Sequence, residues 1–351
     1  MTGLLAAVGF GLLAEPVVYD RPAGTLVPFY ACEDARGQLP FYGEYYPQSG
    51  DGASPRYDND EAWYENLEVI GEYATVFDVI LREDDEAHLR RYLKLIRAAE
   101  AKGLLVYCSA YGEEGVDRFC ALLDLLEREP DGQGLIRNLW AVHLGDEPYL
   151  AGQATEQVEA LVTYFDRRVQ TRYPHIRSWI NFAISNQDFK TWGAKAEDGR
   201  RLLPLGLDIV SIDVYAYVGN GGVEGWGSPD FAASERAALD WLSAMFADES
   251  SPWNQTRLLR EAIDARYPPT ERPMMILIGC SGYVKGITHP TPVSIQDLYF
   301  EICREKDWAG LIWWCFEDFK DCIGGRRPEI IEAHRRHGTA IREAVRADAH
   351  P

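Results

Sequence analysis

The chain has 351 residues, 46% hydrophobic and 26% charged, with 55 acidic against 35 basic side chains for a formal charge of −20. That size and balance exclude a fibrous or disordered chain and leave room for a full hydrophobic core. A net negative surface repels phosphate backbones and anionic lipid, so nucleic acid and membranes are not expected as partners, and neutral ligands fit better.

Residues 1–24 form an N-terminal segment whose apolar run, Met1 to Ala14, lacks the Lys or Arg that opens a signal peptide and is shorter than the roughly 20 apolar residues of a membrane span. It is expected to pack as a first strand or N-terminal segment, with an uncleaved docking peptide or a cleaved signal as the alternatives, and a cytoplasmic or virion-associated protein is favoured over a secreted one. The cysteines at 32, 108, 120, 280, 303, 315 and 322 are odd in number and include no Cys-x-x-Cys pair, so no disulfide framework is expected.

Residues 25–31 read as the first strand, interrupted by Pro28, and 33–60 as a long loop rich in Gly, Pro, Asp and Tyr, with Tyr42, Tyr45 and Tyr46 as rim candidates. A helix over 63–73, a β-branched strand over 74–81, an amphipathic helix over 84–102 stopped by Gly103 and a strand over 104–108 make a strand-helix-strand unit. The pattern repeats: helix 116–129, strand 139–144, helix 153–172, strand 178–183, strand 207–217, helix 231–246, strand 273–279, helix 295–306, strand 310–316 and a closing helix 328–346. Eight short apolar strands, mostly separated by helices, suit parallel strands buried on both faces. The expected fold is a single (β/α)8 TIM barrel with elaborated βα loops over residues 25–351; the alternative is a doubly wound open sheet.

Barrels of this kind place their chemistry at the strand C-termini. The fourth strand runs Leu139-Trp-Ala-Val-His-Leu-Gly-Asp-Glu-Pro-Tyr149 and ends in adjacent acids, Asp146 and Glu147. Strict alternation puts His143, Gly145 and Glu147 on one face. The same period in the sixth strand groups Ser211, Asp213, Tyr215 and Tyr217, with Ile212 and Val214 toward the helices. Asn181 lies on the fifth strand. On the eighth, alternation sends one of Trp313 and Trp314 under the helices and leaves the other, assigned as Trp314, to floor the pocket before Glu317. The seventh ends Gly279-Cys-Ser-Gly-Tyr283 without an acid. No His or Cys spacing marks a metal site, and the glycines at 219–222 lack the Lys-Ser/Thr of a phosphate loop, so no cofactor is expected.

Cleaving a glycosidic bond takes a protonated acid at the leaving oxygen and a second group that stabilises or captures the oxocarbenium ion. Glu147 suits the acid: a strand-end carboxyl beside an ionised partner and aromatic walls holds its proton. His143-Leu-Gly-Asp-Glu-Pro148 resembles the fourth-strand motif of barrel glycoside hydrolases, especially β-hexosaminidases and related N-acetylgalactosaminidases. That resemblance implies that Glu147 is the acid/base and that Asp146 holds an acetamido group whose oxygen attacks. Tyr215 and Trp314 resemble the residues that enclose the sugar in such barrels, with Asp213, Asn181 and Glu317 as further substrate contacts. Other readings stand beside this one. Asp-Glu-Pro after a strand also serves as a helix cap, Asp213 also suits a structural acid, and His143 a satisfied core histidine. A barrel that binds glycan without cleaving it, as part of a larger assembly such as a phage particle, is the alternative function.

Overall fold

The computed structural model of the protein describes residues 41–45, 60–183, 194–195, 201–215, 231–284, 291–306, 308–316 and 322–348. Eight parallel strands close into one ring: β1 Phe41–Tyr45, β2 Val76–Ile80, β3 Leu105–Ser109, β4 Leu139–Asp146, β5 Arg177–Ala183, β6 Ile209–Asp213, β7 Met274–Cys280 and β8 Gly310–Trp314. Each pairs with its neighbours in chain order, and β1 closes the ring on β8 from Phe41↔Gly310 to Tyr45↔Trp314. This is a single (β/α)8 TIM barrel.

The helices are α1 Asp60–Ile70, α2 Glu86–Ala101, α3 Gly112–Leu126, α4 Gly132–Asn138, α5 Thr155–Phe165, α6 Phe231–Leu242, α7 Gln255–Arg266, α8 Val293–Glu305 and α9 Pro328–Asp348. Their starts follow local chemistry where a cap is present. The Asp85 carboxylate accepts from the N–H groups of Ala87 and His88 at the head of α2, and Asn254 accepts from Arg257 at the head of α7. Two of these helices carry no clear signal in the chain. The seven-residue α4 is too short for a period to show, and α7 buries little more than Leu259 and Ile263 along its apolar face.

The first strand is not where the sequence places it. Phe41–Tyr45 occupies that position, inside the stretch expected to be a loop, while residues 25–31 lie outside the described residues, as do 1–24. Its outward side chains explain the miss. Tyr42 and Glu44 are buried and polar, satisfied by groups from far along the chain.

The ring has an inner and an outer core. Inside it, Phe41 stacks on Trp140 with centroids 4.0 Å apart, and Tyr107 meets Trp179 edge-on at 5.0 Å; Ile276, Ile278 and Ile312 fill the remaining space. Outside, Phe77, Val106, Val142, Ile180, Val210, Leu277 and Leu311 meet the helices. α9 lies close against the turn before β2, where a Cβ at Gly338 would fall on the Tyr73 carbonyl.

The seam beside β1 is polar. Glu44 Oε1 accepts from the Tyr73 hydroxyl at 2.8 Å and faces His334 Nδ1 at 2.8 Å. His334 Nε2 lies 3.2 Å from Gln296 Oε1, and Gln296 Nε2 donates to the Cys280 carbonyl at 2.8 Å. A carbonyl only accepts, so the Gln296 amide orientation is fixed, His334 must carry a proton on Nε2, and one further proton lies between Nδ1 and Glu44. Burial holds the Glu44 carboxyl well above its ordinary range and pulls His334 down to about 3. Both directions describe a neutral acid donating to a neutral imidazole.

Candidate active site

The strand C-termini gather the polar side chains. On β6, Ile209 and Ser211 point into the ring and Val210, Ile212 and Val214 toward the helices, so Asp213 and Tyr215 stand at the inner mouth. The Tyr299 hydroxyl of α8 donates to the Val214 carbonyl and pins that strand end. On β8, Trp313 is fully buried in the outer layer and stacks on His334 at 4.7 Å, while Trp314 takes the inner side and stacks on Tyr215 at 4.8 Å. The Ser281 N–H donates to the Trp314 carbonyl at 2.8 Å, tying the ends of β7 and β8 together. Glu317 and Tyr217 lie outside the described residues.

β4 departs from simple alternation, and this corrects the expected facing of its acids. His143 pairs with Trp179, but the next register pair is Gly145 with Ile180, then Asp146 with Asn181. Leu144 is the extra residue of a bulge. It packs in the outer core, and a Cβ at Gly145 would meet Ile180, so two successive residues face the helices. Asp146 rather than Gly145 therefore follows His143 on the inner side. Glu147 reaches the mouth by another route: its φ of +49° turns the chain, and its N–H donates to the Asn181 carbonyl at 2.9 Å.

A directional hydrogen-bond relay holds Asp146. Indole Nε1 can only donate, so Trp179 donates to Ser211 Oγ at 2.7 Å, which leaves the Ser211 proton for Asn181 Oδ1 at 2.8 Å. The Asn181 Nδ2 group must then face Asp146, and donates to its Oδ1 at 2.8 Å. Asp146 is solvent-exposed yet ringed by protein, as on the wall of a cleft. Desolvation pushes its carboxyl up to about 6, the Asn181 amide opposes that shift, and the neighbouring Glu147 charge adds to it.

Asp213 is buried, 6% exposed. Burial, then the charges of nearby Glu147 and Asp146, lift its carboxyl well above the usual carboxylate range. Below these acids, His143 stacks on Trp179 at 4.6 Å and takes the edge of Tyr111 at 5.2 Å; burial pulls it down to about 3, so it is neutral. Ser109 donates to Asp78 at 2.9 Å on the opposite side of the ring.

The structure thus brings together Asp146, Glu147, Asn181, Asp213, Tyr215 and Trp314. Trp179 and Ser211 emerge as the supports of Asn181. Trp179 carried a signal, since it lies two residues before Asn181 on the same inner face. β7 ends in Gly279, Cys280 and Ser281 with no carboxyl at the mouth. Among the described residues no group of three or more His, Cys, Asp or Glu side chains is arranged to hold a metal ion, and no helix is long and apolar enough to cross a membrane.

Solved structures with similar folds include a GH5_18 protein from Streptomyces cattleya. Its complex with Manβ1-4GlcNAc superposes with a TM-score of 0.52 at 13% identity, covering 89% of this chain and 81% of that one. Its complex with GlcNAc gives 0.51 over the same shares. A glucosidase from Croceicoccus marinus gives 0.51 at 10% identity, covering 87% and 68%. The likeness is one of fold. No family model matches the chain, and no curated protein sequence does.

Proposed function

We propose that the protein is a glycoside hydrolase acting on a neutral or N-acetylated sugar, with Glu147 as general acid/base. The observation that carries this reading is Glu147 at the mouth of the barrel, its N–H held on the Asn181 carbonyl, near buried Asp213 and the Tyr215–Trp314 stack. An aromatic face offers a sugar ring an apolar platform, and neighbouring acids supply a proton at the leaving oxygen. The barrels of similar fold include proteins described as a glucosidase and as a GH5_18 protein with bound GlcNAc, which agrees with the proposed substrate class.

Asp146, held by Asn181, takes the supporting role. It would orient an N-acetyl arm whose oxygen attacks the anomeric carbon, a mechanism that needs no carboxylate from β7. Glu317 is proposed as a further sugar contact. Replacing Glu147 with Gln should lower kcat by at least about 100-fold with unchanged circular dichroism and Tm. Undiminished turnover of every substrate the wild type cleaves would end the proposal.

The bare end of β7 favours a second reading, a glycan-binding barrel that docks into a larger cytoplasmic or virion-borne assembly through residues 1–24. Sugar binding without turnover across a broad glycoside panel would decide for it.

A further inference from the structure

We propose that Tyr111 is the platform of a second sugar subsite, on the leaving-group side of Glu147, so that the protein takes a glycan of two or more units rather than a single sugar. Of the four large apolar side chains exposed among the described residues, Tyr111 at 37% and Leu150 at 55% lie on the loops that leave β3 and β4. Leu205 instead leads into β6, and Trp253 lies between α6 and α7. The two at the strand C-termini both border the end of β4. Leu150 sits in the turn that its own N–H closes on the Glu147 carbonyl at 3.0 Å.

The Tyr111 ring is placed by what lies beneath it. It meets His143 with centroids 5.2 Å apart and planes at 87°, and His143 in turn stacks on Trp179 at 4.6 Å. Asp146 follows His143 on the inner side of β4, so a ring standing on His143 stands beside the acids. A perpendicular contact covers at most one face of the tyrosine ring, which agrees with its exposure. The backbone under the ring is held on both sides. The Ala110 N–H donates to the His143 carbonyl at 2.9 Å, and the Gly115 N–H to the Tyr111 carbonyl at 3.2 Å. α3 packs directly on this corner, since a Cβ at Gly115 would fall on the Ala110 carbonyl. Tyr111 heads α3 in an extended conformation, and its side chain makes no capping hydrogen bond. An aromatic face fixed in this way has little ordering left to do when a ligand arrives.

The order of strands round the ring decides what the platform is for. Tyr111 follows β3, the acids end β4, Asn181 lies on β5, Tyr215 follows β6 and Trp314 ends β8. Glu147 therefore stands between two aromatic surfaces, Tyr111 on one side and the Tyr215–Trp314 stack on the other. An acid that protonates a glycosidic oxygen has the sugar that keeps the anomeric carbon on one side and the departing unit on the other. With the first sugar on the Tyr215–Trp314 stack, the departing unit falls to Tyr111. The C–H face of a pyranose is apolar and suits an open aromatic ring, and Leu150 adds apolar surface to the same rim.

Which side the departing unit takes rests on the proposed function, whereas the platform is measured by binding alone. Isothermal titration of the full-length Glu147→Gln protein would use N-acetylglucosamine with its β-1,4-linked dimer and trimer, and glucose with cellobiose and cellotriose. In whichever series binds, the dimer or trimer should bind about five- to tenfold more tightly than the monosaccharide. Tyr111→Ala should remove that gain and leave the monosaccharide affinity unchanged, and Tyr111→Phe should keep it. Should Tyr111→Ala fail to fold, Tyr111→Leu, which fills the space above His143 without a flat ring, should lose the gain in its place. No gain with chain length, a gain that survives loss of the ring or is lost in Tyr111→Phe, or no binding in either series would overturn the subsite. Undiminished turnover in Glu147→Gln would instead end the proposed function and leave the binding series to decide the platform.

Discussion

Among individual residues, the hinge of the site is Asn181. Its orientation follows from hydrogen-bond bookkeeping alone: Trp179 obliges Ser211 to accept, and Ser211 obliges the Asn181 oxygen to turn away from Asp146. Replacing Ser211 with Ala should let that amide turn over and lower kcat/KM about tenfold, with Asn181→Ala at least as damaging, as steady-state kinetics would show. Asp146 carries a separate prediction. Its folded-state value of about 6 lies above that of an unfolded aspartate, so its contribution to stability is present at low pH and is lost as pH rises through about 6. Asp146→Asn should therefore raise Tm by roughly 1–2 °C at pH 8 and have no such effect at pH 4, at the expense of activity. A melting series with no pH dependence in the difference would contradict this. The β6 triplet Ser211, Asp213, Tyr215 was legible in the sequence because that strand alternates without interruption. The facing of Asp146 and Glu147 was not, because Leu144 adds a residue that a period of two cannot anticipate.

At the scale of elements, seven of the eight barrel strands stood out as apolar runs bounded by turns or charges, and β1 did not. Half of a strand's side chains normally advertise its buried face, but the outer face of β1 is Tyr42 and Glu44. Their partners His337 and His334 lie on α9, 295 and 290 residues away. No local pattern can signal burial that depends on such distant polar groups. The approach of α9 to that region gives an element-level test. Alanine for glycine inside an exposed helix ordinarily stabilises by about 1 kcal/mol. Gly338→Ala should instead destabilise by about 2–4 kcal/mol, because the methyl group must displace the Tyr73 backbone. Chemical denaturation gives the sign directly, and a gain in stability would show that α9 packs less closely than described here.

For the whole molecule, charge and closure matter most. A chain of −20 repels itself, and its surface ion pairs, such as Arg97 with Asp131 and Arg335 with Glu72, have both partners largely in water. Sodium chloride up to about 0.15 M, where the Debye length falls to about 8 Å, should raise Tm by a few degrees. A fall would mean that the pairs outweigh the repulsion. The ring itself closes between β1 and β8, and the Glu44–His334–Gln296 chain bridges that closure to β7 and α8. Side-chain imidazole protons ordinarily exchange with water too quickly to be seen by NMR, but the His334 Nε2 proton is enclosed in a buried seam, facing Gln296 Oε1. It should appear as one slowly exchanging ¹⁵N-attached resonance at neutral pH, and its decay in deuterated water would time the opening of the barrel at its seam.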